Sequence, residues 1–327
     1  MSPVASAVGR TARPNMDPAE WEQRVNLAAC YRLIEYFGWT DLIYTHISAR
    51  VPGEPGHFLL NRFGLLFDEV TASNLIKVDL DGNLVDEPDA PMHKAGFVIH
   101  SAIHGGRDDV DCVIHTHSKA GVAVAAMKDG LLPLSQHAQL FYGRVSYHDY
   151  EGLAIDIDER ARLVKDLGDN PVMILRNHGL LAVGKSIPLA FSNLFNLQFA
   201  CETQVLAMAG NAALTLPAAA ISEHTAELAV APDAPFGTEW AGRCASSTAS
   251  ILRIAPEGVR VRALAPPARD MSYLYPPACA FSRVAVSEMV GVSASGSTLR
   301  WRIAGLPDFC AASSAGKKSA VFSTIAP

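Results

Sequence analysis

Two short apolar runs constrain this chain more than any other feature. Val110-Asp111-Cys112-Val113-Ile114 and Pro171-Val172-Met173-Ile174-Leu175 are rich in β-branched side chains and bounded by turn residues, so both read as buried strands. Each closes on histidine: the first enters His115-Thr116-His117, the second Arg176-Asn177-His178-Gly179. Strand side chains alternate faces, so His115 and His117 project to one side and Thr116 to the other. With the second strand nearby, His178 completes a trio of imidazoles that leaves positions open for water or substrate, the pattern of a catalytic zinc site. A His-x-His pair among 11 histidines also arises by chance, and His178 ahead of a turn glycine also reads as an ordinary loop residue.

The flanking segments alternate helix and strand. Asp17-Pro18-Ala19-Glu20 carries an N-cap acid, a first-turn proline and an acid three residues on, which starts a helix whose buried stripe is Leu27, Tyr31, Ile34 and Phe37/Trp39. Leu42 to Arg50, His57 to Leu60 and Leu75 to Leu80 read as strands. Met92 to His104 reads as a helix on which His100 and His104 are neighbours, packed in the core or behind the ligands. Further helices are expected over Ala120 to Met127, Asp156 to Leu167, and from Ser186-Ile187-Pro188 to about Met208. This alternation predicts one layered α/β domain over residues 17–242.

Composition narrows the function. The 327 residues are 49% hydrophobic and 18% charged, enough to bury a substantial core. A net charge of -6 provides no general basic field, so neither nucleic acid nor an anionic membrane is expected as a partner. Residues 1–16 lack the apolar segment of a secretory signal and read as a disordered arm. The six cysteines, Cys30, Cys112, Cys201, Cys244, Cys279 and Cys310, include no Cys-x-x-Cys pair; the first three read as buried thiols, and the expected location is the cytoplasm.

The blocks Gly96-Phe97-Val98-Ile99-His100-Ser101-Ala102-Ile103-His104, Cys112 to Ser118 and Ile174 to Leu180 follow one another in order. Thr45-His46-Ile47-Ser48-Ala49-Arg50, Phe63-Gly64-Leu65-Leu66 and Tyr147-His148-Asp149-Tyr150-Glu151-Gly152 accompany them. From about Ala19 to Asn211 the chain resembles the class II aldolase/adducin family, most closely its adducin-like branch. The resemblance implies a three-layer α/β/α fold with a mainly antiparallel sheet. It places His115, His117 and His178 at the ligand positions of a divalent metal, Zn²⁺ before Fe²⁺ or Mn²⁺, which stabilises an enediolate. It also implies a homotetramer. The sugar-phosphate aldolases of the family carry a catalytic Glu where this chain has Gly96, a serine pair where it has Lys94 and Ala95, and Gly-Asn-x-Ser where it has Thr45-His46-Ile47-Ser48. A tyrosine that donates a proton in some of them corresponds to His137, an imidazole able to do acid/base work. Lys94 and Asn61 are the expected substrate contacts.

The expected activity is that of an aldolase- or decarboxylase-type lyase acting on a small oxygenated carbonyl or hydroxy-acid substrate. An epimerase, dehydratase or iron oxygenase on the same fold, or a non-catalytic adducin-like binding module, is the alternative. Beyond Trp240 the character changes: from Arg243 the chain is dominated by Ser, Ala, Arg and Pro without sustained periodicity. Codons for Arg243 to Ala255 can be chosen that, read two bases later, give an amphipathic Leu-Arg-Leu-Leu-Asp-Arg segment and a turn. Residues 243–327 therefore read as a frameshift product replacing a short helical ending, or else as a poorly packed extension.

Overall fold

A computed structural model describes residues 16–231 apart from Ile155, together with Trp240. Every described residue belongs to one compact unit. Residues 1–15 of the expected arm, and the whole of the atypical tail with its frameshift reading, lie outside the described residues.

Helix α1 (Pro18–Phe37) starts where Asp17 accepts the Ala19 N–H at 2.7 Å and stops at Gly38, whose φ of 71° suits a residue without Cβ. Then come β1 (His46–Val51), β2 (Glu54–Leu60), β3 (Ile76–Asp79), α2 (Lys94–Gly106), β4 (Cys112–Thr116), α3 (Lys119–Ala125), α4 (Gln136–Gln139), β5 (Val145–His148), α5 (Glu159–Leu167), β6 (Val172–Leu175), β7 (Gly179–Gly184), α6 (Ile187–Met208) and α7 (Ala219–Ala229). The strands form a single sheet in the order β3-β2-β1-β4-β7-β6-β5. Every neighbouring pair is antiparallel except β5 with β6.

Alternation along the strands separates two cores. Ile47, Ile114, Ile174, Leu180 and Ala182 meet Leu27 and Ile34 of α1, Val124 of α3, and Leu194 and Leu197 of α6. Val113, Met173, Leu181 and Val183 meet Ile99 and Ile103 of α2 and Leu163 and Leu167 of α5. Each such aliphatic side chain contributes about 1.5–3 kcal/mol by leaving water, so the three-layer arrangement follows from the strand periodicity. The ring of Trp240 packs edge-on to Phe191 of α6 at 5.6 Å. Among the described residues no helix is long and apolar enough to cross a membrane.

Some expected boundaries move. The first strand begins at His46 rather than Leu42, because Asp41 to Tyr44 forms a turn in which Tyr44 N–H donates to Asp41 O at 3.0 Å and Leu42 has a φ of 48°. The strand β7, the short strand β5 and helix α7 were not anticipated. Cys30, Cys112 and Cys201 are buried as expected.

Candidate metal centre

Strand β4 lies between β1 and β7, with His115 opposite His46 on one side and Leu181 on the other. Thr116 turns toward β7's opposite face while His115 and His117 share a side, as their spacing requires. The link from β6 to β7 is three residues long. Asn177 sits at its apex in the left-handed region with a φ of 56°, a conformation asparagine tolerates, and its N–H donates to Ala125 O at 3.1 Å. Arg176 braces the turn by donating to Met127 O at 2.8 Å and lying 4.1 Å over the Tyr147 ring. His178 is thereby brought to the end of β4.

The ligand atoms of His115, His117 and His178 all lie within 4.8 Å of one another. Ring centroids are 4.7 Å apart for His115–His117, 4.7 Å for His115–His178 and 4.8 Å for His117–His178. Gly179 was expected to serve the turn, but its role is a close approach: a Cβ there would lie 2.4 Å from the Thr116 carbonyl oxygen and 3.1 Å from the His117 ring.

The outer nitrogens decide what the trio can hold. His115 Nδ1 lies 3.0 Å from Leu180 O, and His117 Nδ1 lies 3.0 Å from Asp41 Oδ2. Both acceptors call for an N–H, which leaves the two Nε2 lone pairs facing each other at 2.9 Å. Two lone pairs at that separation repel unless a proton or cation lies between them. The donor set therefore fits a divalent ion, with Asp41 in the orienting position that ligating histidines commonly use. Burial holds the His115 imidazole well below its ordinary range and lowers His178 to about 4, so both rings are neutral at physiological pH.

The other expected site residues are placed differently. His137, on α4, stacks on Phe199 of α6 at 3.9 Å and shares no hydrogen bond or ring contact with the trio among the described residues. Asn61 is buried, its Oδ1 lies 2.8 Å from the Tyr31 hydroxyl, and its Nδ2 donates to Arg62 O at 3.3 Å, so its polar atoms are engaged within the fold. Lys94 is exposed at the first residue of α2. It follows His93, which caps that helix by accepting the Gly96 N–H at 3.1 Å and whose ring is 5.6 Å from that of His46.

The chain's histidines are more concentrated than the motifs alone indicated. His46 lies 5.1 Å from His115 and 4.7 Å from His100, ring to ring. His100 and His104 are core residues behind it, as anticipated. Burial lowers His100 to about 3 and holds His46 and His104 far down as well. An unfolded chain titrates these rings near 6.5, so the stability gained by keeping them neutral is complete above that pH and is lost as pH falls. In metal-free protein the urea midpoint is expected to drop between pH about 6.5 and about 5, where ordinary carboxylates stay ionised. A midpoint independent of pH across that window would contradict the buried, neutral assignment.

The comparisons with known proteins agree with this architecture. The aldolase II superfamily protein of Pseudomonas syringae is 52% identical, with a TM-score of 0.67, covering 71% of this chain and 94% of that one. The L-fuculose 1-phosphate aldolase of Glaciozyma antarctica is 25% identical with a TM-score of 0.63, covering 73% of this chain and 96% of that one. Rat alpha-adducin is 50% identical over 196 residues, which span 59% of this chain but only 26% of the adducin. The family model for the class II aldolase and adducin N-terminal domain matches residues 25–205. With more than half its length matched, the chain belongs to the class II aldolase and adducin N-terminal domain family.

Proposed function

We propose that this protein is a metal-dependent lyase acting on a small hydroxylated carbonyl or hydroxy-acid substrate through an enediolate-type intermediate. The observation that carries the reading is the pair of imidazoles whose Nε2 atoms face each other at 2.9 Å while their Nδ1 atoms are engaged by Leu180 O and Asp41. His115, His117 and His178 hold the ion, with Zn²⁺ favoured by an all-imidazole set and Fe²⁺ or Mn²⁺ as substitutes. When bound, the cation supplies Lewis-acid stabilisation of negative charge developing on a substrate oxygen, a contribution of several kcal/mol.

The chain's own residues define the rest of the proposal. Gly96, Lys94 and Ala95 stand where sugar-phosphate aldolases carry a Glu and a serine pair, so a phosphorylated substrate is not favoured. Lys94, exposed beside His93 at the start of α2, offers a cation to a substrate carboxylate. His137, stacked on Phe199 of α6, is the proposed acid/base residue. A homotetramer in the cytoplasm is proposed from the family alone.

Exchange of α-protons in D₂O tests the reading without knowledge of the natural substrate. Zinc-loaded protein is expected to exchange the α-protons of dihydroxyacetone or of a short 2-hydroxy acid, followed by proton NMR, and the exchange is expected to stop when zinc is chelated. Stoichiometric zinc without exchange in any of a panel of α-hydroxy carbonyls and acids would favour a binding module of the adducin kind.

A further inference from the structure

His93 is an unusual helix cap. Ser, Thr, Asp and Asn lead at such positions because a side-chain oxygen accepts an orphan N–H of the first turn, and their reach ends at that atom. Here the accepting atom is an imidazole nitrogen: Gly96 N–H donates to His93 Nδ1 at 3.1 Å, at the start of α2. The lone pair of Nδ1 is thereby used, so the ring proton of neutral His93 is on Nε2. A charged ring would carry a proton on both nitrogens and lose the cap. The positive end of the helix opposes that charge. Burial, followed by the neighbouring His117 imidazole, holds His93 below the ordinary histidine range.

The ring is held on two sides. Its centroid lies 4.7 Å from that of Phe63, edge to face, and 5.6 Å from that of His46, which itself lies 5.1 Å from that of His115. Helix α2 comes this close to β1 because Gly96 has no side chain: a Cβ there would lie 2.9 Å from His46 Cδ2. His46 and Gly96, two departures from the sugar-phosphate aldolase pattern, thus fit each other. Their contact sets the first turn of α2, with its cap, beside the His46–His115 pair. His93 Nε2 lies across the ring from the capped helix, on a half-buried residue, and has no hydrogen-bond partner among the described residues. An N–H whose direction is fixed before a ligand arrives stabilises developing charge well, since no dipole has to turn as the charge appears. Neutral imidazole at a helix N-terminus can polarise a carbonyl in this way.

We infer that His93 is a substrate-binding residue of the proposed lyase, its Nε2–H donating a hydrogen bond to the substrate oxygen on which negative charge builds when the α-proton leaves. The inference rests on the lyase reading. The proton stays on Nε2 throughout, so no covalent bond of His93 forms or breaks; the hydrogen bond strengthens as the charge appears and relaxes as it is discharged. The substrate selected in this way carries two neighbouring oxygens, as an α-hydroxy carbonyl or a 2-hydroxy acid does. One is for the cation held by His115, His117 and His178, and the other is for His93.

Two substitutions separate the roles of the two ring nitrogens. Asparagine puts an oxygen where Nδ1 lies and nothing where Nε2 lies, whereas glutamine puts an amide N–H near Nε2 and nothing at Nδ1. His93→Asn is expected to keep zinc content unchanged and the melting temperature within about 1 °C of wild type. It is nevertheless expected to slow α-proton exchange of dihydroxyacetone at least about tenfold. His93→Gln, which loses the cap, is expected to melt about 2–4 °C lower yet to exchange at least about threefold faster than His93→Asn. Ring-nitrogen NMR of ¹⁵N-histidine protein supplies a readout apart from activity. It is expected to show His93 neutral with its proton on Nε2, with and without zinc, and an Nε2 resonance that moves when glycolate is added to zinc-loaded protein. The inference would be overturned, with the lyase reading intact, by a proton on Nδ1, by an Nε2 resonance unmoved at saturating glycolate, or by exchange in His93→Asn within about threefold of wild type. Exchange rates that rank the two variants as their melting temperatures do would overturn it equally. A wild type without exchange on any of the α-hydroxy carbonyls and acids would overturn the lyase reading, and this inference with it.

Discussion

Gly179→Ala is expected to cost about 1–3 kcal/mol of stability and to loosen the metal centre together. The added methyl would lie 2.4 Å from the Thr116 carbonyl oxygen, which is backbone at the end of β4, opposite Leu180 of β7, and has no rotamer to change. Either β7 moves away from the end of β4 or the three-residue turn before it opens, and both shifts carry His178 away from His115 and His117. The same methyl reaches 3.1 Å from the His117 ring, so even a small adjustment tilts a ligand. Gly56→Ala is the matched control, since its Cβ would meet nothing within 4 Å and its effect is expected to stay within about 0.5 kcal/mol. Urea midpoints and zinc content of the two variants check this. Equal midpoints would show that the β4–β7 contact is slacker than the structure indicates.

Replacing single ligands is expected to produce the other large effect. His115→Ala and His178→Ala should each abolish retention of zinc through dialysis, since two imidazoles remain where a catalytic site uses three protein ligands. They should differ in stability. His115 is 1% exposed and its Nδ1–H serves Leu180 O, so its removal leaves a core void and an unpaired carbonyl. His178 sits on the turn and is only partly buried, so His178→Ala should retain nearly wild-type thermal stability. Asp41→Asn keeps all ligands and alters only the acceptor that orients His117; zinc affinity is expected to fall about 10–100-fold. Circular dichroism separates loss of metal from loss of fold. If the His178→Ala variant binds zinc as tightly as Asp41→Asn does, the three-ligand arrangement is incorrect.

Much of this was legible before any coordinates. The strand endings at Ile114 and Leu175 located all three imidazoles because strand alternation is a local property, and the caps at Asp17 and Ser186 marked α1 and α6 for the same reason. The strand β7 was missed because Gly179-Leu180-Leu181-Ala182-Val183-Gly184 follows β6 after only three residues. No Gly-rich turn announces the reversal, and the left-handed apex falls to Asn177, which sequence pattern alone does not single out. Asp41 escaped notice because it is a half-buried acid in a turn, and only the tertiary position of His117 gives it a partner. His46 and Gly96 were each visible as departures from the aldolase pattern. Their connection depends on β1 and α2 packing face to face, which lies 50 residues apart in the chain and outside the reach of local periodicity.

The proposed chemistry requires that the trio hold an ion. Purified full-length protein, supplied with zinc, dialysed and assayed by elemental analysis, is predicted to retain about one zinc per chain, and the His178→Ala protein close to none. A wild-type protein that retains no metal, or a His178→Ala protein that retains the same amount as the wild type, would contradict it.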